Sequence, residues 1–373
     1  MQAEKLRFIL LPFFGFLLNT NGYSQSFTAG NLAVLRVGDG TQTLVSSGNS
    51  LFVDQYTVGG AFVNSVAVPD SGSSALLVSG TAGSEGGLTR SLDRSLLVIA
   101  GYHTNRGSVS GSLSSQPASA VPRAVGAVDA FAAYNLAQAS TTLYSSNNIR
   151  CATSDGTNGF WTAGSPGGTF YLSPPQAPVE IQAAGANTRL IKIMLNNLYF
   201  STQAGTAGVY TFQGEGLPKS AANSVLVIGT GANSQPAGFA INPALTIAYV
   251  ADQRPTAGGI QKWTNNGSAW VLAYSFSTGN GAFDLAVDFT GSAPVIYATT
   301  AETSSNRLIS IVDNGALSIV KVLATAGANR IFKGLDFAPD LRPVIVAQPQ
   351  SQTVTNGSDV SFVVQAQSQY ALT

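Results

Sequence analysis

The stretch GFAINPALTIAYVAD, residues 238–252, consists of two short apolar runs joined at an Asn-Pro dipeptide. Runs rich in Ile, Val, Tyr and Phe on either side of an Asx residue predict a β-hairpin. Five other segments have the same form, the last one without its second run: GLTRSLDRSLLVIAG from residue 87, NIRCATSDGTNGFWTAG from 148, TRLIKIMLNNLYFST from 188, AFDLAVDFTGSAPVIYATT from 282 and IFKGLDFAPD from 331. The hairpin is therefore one copy of a repeat.

An Asx residue occupies the turn position of every copy. The six residues are Asp93, Asp155, Asn196, Asn242, Asp288 and Asp336, at intervals of 62, 41, 46, 46 and 48 residues. Asp and Asn suit such turns because their side chains accept hydrogen bonds from the backbone just ahead. We interpret them as structural turn-formers, not as a ring of metal ligands.

Two further strand-like runs follow each hairpin, for example GIQKWTNNG and WVLAYSFS after residue 252. Four strands per 41 to 48 residues are typical of a β-propeller blade. The long first interval contains HTNRGSVSGSLSSQPASAVP, residues 103–122, which we interpret as an insertion between a second and a third strand. The sequence thus predicts an all-β, six-bladed β-propeller over residues 27–340. Seven blades, with residues 124–146 as a degenerate blade, is the alternative.

The two ends of the repeat region complement each other. NLAVLRVGDG, LFVDQYTVGG and FVNSVAVPD near the N-terminus predict three strands with no inner partner, and IFKGLDFAPD predicts an inner strand with no blade after it. Pairing them would close the ring with one C-terminal and three N-terminal strands, and closure protects strand edges from aggregation.

The N-terminus has the features of a secretory signal peptide. Lys5 and Arg7 precede a mostly apolar run over residues 8–18, and small residues allow cleavage after Ser24 or Ser26. The run is too short to span a bilayer. We therefore expect residues 1–24 to be a signal peptide, the protein to be secreted or at the cell surface, and the chain to have no membrane span. The single cysteine, Cys151, is expected to be a small buried residue.

Charged residues are scarce and balanced. They make up 10% of the chain, with 18 Lys and Arg against 18 Asp and Glu, where about 25% is usual. A chain with so few charges and 40 glycines suits an extracellular all-β protein with many turns. No basic run or aromatic-basic pattern is present, so nucleic acid is not an expected partner.

The last segment, residues 343–373, does not follow the repeat pattern. Its stretch QPQSQTVTNGSDVSF resembles the first two strands of bacterial immunoglobulin-like (I-set-like) modules. The resemblance covers roughly 30 residues of a module that needs about 100. We expect an incomplete immunoglobulin-like segment.

Residues 27–340 resemble secreted bacterial β-propeller proteins. The phrases that carry the resemblance are FTAGNLAVLRVGDGTQ, SEGGLTRSLDRSLLVIAGY and SSNNIRCATSDGTNGFWTAG. It implies a propeller and export, often with immunoglobulin-like repeats after the propeller, and it implies no particular activity.

Residues suited to catalysis are few. His103 is the sole histidine, no nucleophile motif accompanies it, and we interpret it as a loop residue. One His and one Cys exclude a structural zinc site. Calcium is the most plausible ion, although no calcium-loop motif is present. Paired carboxylates for hydrolysis would have to come from different blades, such as Asp252 with Asp284.

Binding residues are sought in loops, because propeller loops vary while blades stay rigid. Tyr102, His103, Asn105 and Arg106 stand at the start of the insertion and are the candidate ligand-binding residues, with Tyr102 and His103 expected to be exposed. Trp161, Trp263 and Trp270 could stack on sugar rings but fit better as packing residues between blades.

The prediction for function is an exported, non-catalytic propeller with no cofactor. It would act as a monomeric binding or structural module at the cell surface or in the matrix, with a protein or glycan as partner. The alternative is a propeller hydrolase or lactonase with a channel-bound metal.

Overall fold

The computed structural model describes residues 26–182, 187–214, 216–341, 344–347, 349–355 and 357–367. The predicted signal peptide lies outside these residues. The described residues form 26 β-strands and no α-helix. In this part of the chain no helix is long and apolar enough to cross a bilayer.

The strands form six four-stranded antiparallel sheets, and each sheet is one blade with its strands in order from the inner to the outer edge. Blade 1 contains β24 (Ile331–Phe337), β1 (Leu32–Val37), β2 (Leu51–Tyr56) and β3 (Phe62–Ala67). Blade 2 contains β4 (Leu88–Arg90), β5 (Leu96–Tyr102), β6 (Arg123–Asp129) and β7 (Tyr134–Ser140). Blade 3 contains β8 (Asn148–Ser154), β9 (Phe160–Ser165), β10 (Thr169–Leu172) and β11 (Val179–Glu180). Blade 4 contains β12 (Thr188–Met194), β13 (Asn197–Thr202), β14 (Gly208–Phe212) and β15 (Ser224–Gly229). Blade 5 contains β16 (Pro236–Ile241), β17 (Ile247–Asp252), β18 (Gly259–Asn265) and β19 (Trp270–Ser277). Blade 6 contains β20 (Ala282–Asp288), β21 (Val295–Thr300), β22 (Arg307–Val312) and β23 (Val320–Thr325).

The inner strands of successive blades lie next to one another and form a closed ring, with β24 beside β4 at the junction. The ring closes as the sequence predicted, because C-terminal β24 pairs antiparallel with N-terminal β1, with Leu335 opposite Val34. A strand from each end of the chain thus completes blade 1, and the architecture is a six-bladed β-propeller.

The seven-blade alternative is wrong. Residues 124–146 supply β6 and β7, the third and fourth strands of blade 2. β6 pairs with β5 without a break from Leu96–Asp129 to Tyr102–Arg123, and β7 pairs with β6. The extra length of this unit lies in residues 103–122, between its second and third strands, as predicted.

The antiparallel order of each blade places its connections on two opposite faces of the ring. The hairpin face carries the turns between inner and second strands, such as residues 242–246. The loop face carries the connections between second and third strands and between blades, including residues 38–50, 68–87, 103–122, 253–258 and 301–306. The three longest connections between propeller strands, residues 38–50, 68–87 and 103–122, are on the loop face.

Apolar side chains from adjoining blades form the core. Trp161 of β9 is fully buried, and its Nε1 donates a hydrogen bond of 2.6 Å to the carbonyl oxygen of Pro218. Trp263 of β18 is also buried. Cys151 of β8 is fully buried in the same cluster, as predicted. These tryptophans therefore serve as packing residues.

The C-terminal segment is smaller than a sandwich. In its described residues, β25 (Val344–Ala347) and β26 (Gln365–Gln367) form a two-stranded antiparallel sheet. The sequence predicted a fragment of an immunoglobulin-like sandwich, and no such sandwich is seen in the part of the tail that the structure describes. A pair of short strands cannot bury a core between two sheets, which such a fold requires.

Candidate functional site

Tyr102 is fully buried, which corrects the expectation that it is exposed. Its hydroxyl donates a hydrogen bond of 2.8 Å to Oε1 of Glu85, and the guanidinium of Arg123 lies 5.1 Å from its ring centroid. The insertion folds back over the end of β5, and the buried carboxylate of Glu85 gives the hydroxyl a partner inside the protein. Tyr102 has no surface on which a sugar could stack.

The other three candidate residues attach the insertion to blade 1 and its connections. The imidazole Nδ1 of His103 lies 2.8 Å from the carbonyl oxygen of Ala75. Oδ1 of Asn105 accepts a hydrogen bond of 2.8 Å from the backbone N–H of Gly72.

Arg106 forms ion pairs with Asp39 and Asp70, at 3.2 and 3.0 Å. Asp39 lies between β1 and β2, and Asp70 follows β3, so one guanidinium joins the insertion to two connections of blade 1. The candidate residues are on the loop face, yet their polar groups are already engaged within the protein.

The Asx residues at the hairpin turns accept backbone hydrogen bonds in four copies of the repeat. Asp93 accepts from the N–H of Ser95, Asp155 from Thr157 and Gly159, Asn242 from Thr246 and Ile247, and Asp288 from Thr290. Each carboxylate or amide oxygen satisfies N–H groups that the turn would leave unpaired.

Asn196 forms its turn in another way, and Asp336 is not in a turn, so the prediction that it is a turn-former is wrong. Asn196 supplies the left-handed conformation that its two-residue turn requires, with φ of 58°. Asp336 lies inside β24, and its Oδ2 accepts a hydrogen bond of 3.0 Å from the N–H of Arg90 in blade 2. No hairpin follows β24 along the chain, because its neighbouring strand comes from the N-terminus.

Asp252 and Asp284, the carboxylates considered for hydrolysis, have separate partners. Asp252 pairs with Arg254 at 2.6 Å. Asp284 is fully buried and pairs with Lys192 at 3.1 Å. Asp284 also accepts hydrogen bonds from the backbone N–H groups of Leu285 and Leu335, so its two oxygens are both occupied. Among the described residues, these two carboxylates have no hydrogen-bond or ion-pair partner in common.

A cavity of 380 Å³ opens on the loop face between blades 5, 6 and 1, and we name it the loop-face pocket. Its lining includes residues 80–83, 300–303 and 331–333, together with Gln253 and Phe283. The volume is within the range of small-ligand sites, about 300 to 1,000 Å³.

Lys333 of β24 is the cationic residue of the loop-face pocket. It is 5% exposed, its Nζ donates a hydrogen bond of 2.6 Å to the carbonyl oxygen of Ala82, and the same atom lies 5.3 Å from the ring centroid of Phe283. Burial lowers the pKa of Lys333 from 10.5 to about 8, against the opposing charge of Glu85. None of the ion pairs among the described residues includes Lys333. An ammonium has three N–H donors, and the described residues supply a hydrogen-bond acceptor for one of them.

Glu302 contributes a carboxylate to the same pocket. Its Oε1 accepts a hydrogen bond of 2.9 Å from Nε of Arg307 and a second bond from the same guanidinium. Its Oε2 is buried and has no hydrogen-bond partner among the described residues. Buried acceptors are seldom left without a partner, and leaving one so costs about 1–3 kcal/mol.

Residues 80–86 cross the channel mouth beside the pocket. Nε2 of Gln253 donates a hydrogen bond of 2.8 Å to the carbonyl oxygen of Gly83, and the N–H of Gly334 donates one of 2.7 Å to Gly86. Glu85 of this segment is fully buried, and burial raises the pKa of its carboxyl group. Its Oε1 accepts hydrogen bonds from Tyr102 and Asn148, so the segment is held by blades 2 and 3 as well as by blades 1 and 5.

Sequence reasoning missed Lys333 and Glu302. The one local signal is a lysine inside the apolar stretch IFKGLDF of a chain with few charges. The contacts that make the site join residues up to 251 positions apart, as from Lys333 to Ala82.

A second cavity, of 640 Å³, opens on the hairpin face. Its lining includes Arg90, Arg94, Lys192 and Asn196, and Ile345 of the C-terminal segment lies at its edge. Lys192 is neutralised by Asp284. This cavity shares no lining residue with the loop-face pocket.

The described residues contain no group of three or more His, Cys, Asp or Glu side chains placed to hold a metal ion. The carboxylates of Asp284 and Asp336 accept N–H hydrogen bonds at both oxygens. A bound calcium ion stays a prediction.

The fold and the pocket define the class of protein: a six-bladed β-propeller with a recess on its loop face. No protein-family model and no curated protein matches the sequence. Among solved structures, a gluconolactonase from Xanthomonas campestris is 9% identical, with 84% of this chain and 98% of that chain covered and a TM-score of 0.46. A protein from Lactobacillus plantarum is 12% identical, with 82% and 86% covered and a TM-score of 0.45. A protein of unknown function from Bacteroides thetaiotaomicron is 11% identical, with 84% and 71% covered and a TM-score of 0.44. These similarities concern architecture alone and carry no statement about activity.

Proposed function

We propose that the protein is an exported, non-catalytic β-propeller that recognises glycans at the cell surface or in the extracellular matrix, through the loop-face pocket. One observation carries the proposal. Within a recess of 380 Å³, two N–H donors of Lys333 and one oxygen of Glu302 are left without protein partners among the described residues. Groups of this kind fix the orientation of a polar ligand in a small site.

A glycan suits this recess better than a protein surface does. The pocket is concave, it combines a cation, a carboxylate and the amide of Gln253 with the ring of Phe283, and it is large enough for a sugar unit. Protein interfaces are broader, with about 800 Å² buried per partner. The free hydrogen-bonding groups match the hydroxyls of a sugar.

The proposal that the protein is non-catalytic is supported by Asp284 and His103, whose polar atoms already have partners within the protein. Asp284 accepts three hydrogen bonds or ion-pair contacts and has no free oxygen. The imidazole Nδ1 of His103 lies at hydrogen-bond distance from the carbonyl oxygen of Ala75. Neither is poised as a general base.

Export and the C-terminal segment complete the proposal. We infer that residues 1–24 direct secretion of a monomer and that residues 343–373 belong to an immunoglobulin-like segment. N-terminal sequencing of the exported protein tests the first inference: a mature chain beginning at residue 25 or 27 is expected, and retention of residues 1–24 would contradict it.

A glycan array that carries neutral and acidic oligosaccharides tests recognition with the full chain. We expect saturable binding that Lys333→Met abolishes and that Lys321→Met, a change of an exposed lysine on β23, leaves intact. Absence of binding to every glycan would overturn the proposal.

The alternative, a hydrolase or lactonase with a channel-bound metal, is separated by metal analysis and by assay on simple lactones. Stoichiometric calcium with turnover would replace the binding proposal by the alternative.

A further inference from the structure

We propose that the loop-face pocket is specific for acidic sugars, with the ligand's carboxylate on Lys333 and a ligand hydroxyl donating to Oε2 of Glu302. This rests on the proposed glycan recognition and names the ligand class of the same site.

The charge of the pocket decides between ligand classes. Lys333 is buried without an ion-pair partner among the described residues, so its ammonium favours an anionic group. Hydrogen bonds between an ammonium and a carboxylate are roughly twice as strong as neutral ones. The ligand therefore carries a negative charge where it meets Nζ.

Glu302 places a different demand on the ligand. Arg307 already neutralises its carboxylate through Oε1, while Oε2 remains buried and unpaired in the part of the chain that the structure describes. A neutral O–H donor satisfies this oxygen without adding a net charge, whereas a ligand ammonium would leave an excess cation beside Arg307. A hydroxylated carboxylate meets both demands, and an amino acid meets them less well.

The remaining lining fits a sugar ring. Phe283, Ile331 and Phe332 give the pocket apolar walls, and the side-chain amide of Gln253 stands at its rim, where its Nε2 holds Gly83. A sugar ring presents apolar C–H faces and polar edges. A uronic acid, as a terminal glycan unit or as a free sugar, combines the ring, the hydroxyls and the carboxylate.

Three small probes of similar size separate the two contacts. D-Glucuronate has carboxylate and hydroxyls, D-glucose has hydroxyls without carboxylate, and cyclohexanecarboxylate has a carboxylate without hydroxyls. Isothermal titration of the full chain with each should give tightest binding for D-glucuronate, with both analogues weaker by about tenfold or more. A site that hydrogen-bonds a hydroxyl rejects the analogue that lacks it, because its own buried group is left unpaired.

Variants assign the contacts to residues. Lys333→Met should remove the preference for D-glucuronate over D-glucose, and Lys321→Met should preserve it. Thermal denaturation of both variants checks that they are folded, and the comparison among the three probes does not depend on any variant.

The outcomes distinguish this inference from the proposed function. Equal affinity for D-glucuronate and D-glucose, or undiminished D-glucuronate binding by Lys333→Met, overturns the acidic-sugar assignment while glycan recognition stands. Cyclohexanecarboxylate binding as tightly as D-glucuronate overturns the role of Glu302. Absence of binding to any carbohydrate overturns both proposals.

Discussion

Nζ of Lys192 in blade 4 lies 3.1 Å from Oδ1 of Asp284 in blade 6, and Asp284 is fully buried. Lys192 also donates a hydrogen bond of 2.8 Å to the carbonyl oxygen of Leu285, and Oδ2 of Asp284 accepts from the N–H of Leu335 in blade 1. Burial acts to lower the pKa of Lys192, but the charge of Asp284 raises it above its ordinary value. One ion pair thus joins three inner strands at the centre of the ring.

Breaking this pair should destabilise the propeller strongly. Asp284→Asn leaves the Lys192 ammonium without its counter-charge, and Lys192→Met leaves the Asp284 carboxylate without its own. Each change should lower the free energy of unfolding by about 3–5 kcal/mol. The double variant Lys192→Met/Asp284→Asn should lose clearly less than the sum of the two. Urea denaturation measures all three, with Lys321→Met as a surface control. If the double variant loses as much stability as the two single variants together, Lys192 and Asp284 are not energetically coupled and the prediction is wrong.

Lys333 should behave in the opposite way. Because its buried ammonium has no ion-pair partner among the described residues, Lys333→Met removes a desolvation cost and should raise the free energy of unfolding by roughly 1–3 kcal/mol. The same change should abolish D-glucuronate binding. Gain of stability with loss of binding is expected where a protein keeps an unfavourable group for its function. Urea denaturation beside titration checks the prediction, and a variant that is less stable than the wild type would refute it.

The pH dependence of stability provides a separate test of Lys333. Its pKa is about 8 in the folded protein against 10.5 ordinarily, so between these values the unfolded chain binds more protons. Stability contributed by this residue therefore rises with pH across that window, by roughly 3 kcal/mol in total.

The other charged groups near Lys333 are Glu85 and the ion pair of Glu302 with Arg307. They are retained in Lys333→Met, so the difference between wild type and variant isolates the lysine. Urea denaturation at several pH values from 7 to 10.5 should show that the free energies of unfolding of the wild type and of Lys333→Met converge as the pH rises. A constant difference would exclude titration of Lys333 as the cause.

Local patterns in the sequence account for the blades but not for the pocket. Residues 238–252 reveal a hairpin because the turn-former Asn242 and the flanking strand residues act within a few positions of one another. Tyr102 ends such a strand and looked accessible beside a polar insertion. Its burial depends on Glu85, 17 positions away, and on how the insertion folds back.

The pocket depends on still longer contacts. Lys333 meets Ala82 only because the closing strand β24 brings the C-terminal part of the propeller beside residues 80–86. Counting strands predicted the closure, yet the side chains that closure brings together depend on three-dimensional register.

Cys151 should be inert in the native protein. It is fully buried on β8, and burial raises the pKa of its thiol to about 12, so almost no reactive thiolate exists at neutral pH. A chromogenic disulfide reagent should label one thiol per chain in 8 M urea and none in buffer over the same time. Stoichiometric labelling of the folded protein would show that β8 opens readily.

Removing the C-terminal segment should leave the propeller intact. A chain that ends at residue 341 keeps all six blades, and we expect its melting temperature to stay within about 2 °C of the full chain. A chain that ends at residue 330 lacks β24, the inner strand that pairs with β1 along Leu32–Val37.

The chain ending at 330 should therefore show no cooperative unfolding, because blade 1 would lose both its inner strand and the ring closure. Circular dichroism during heating distinguishes the two truncations. Ile345 of the C-terminal segment lines the 640 Å³ cavity on the hairpin face. A large loss of stability in the chain ending at 341 would therefore mean that the C-terminal segment is an integral part of the propeller.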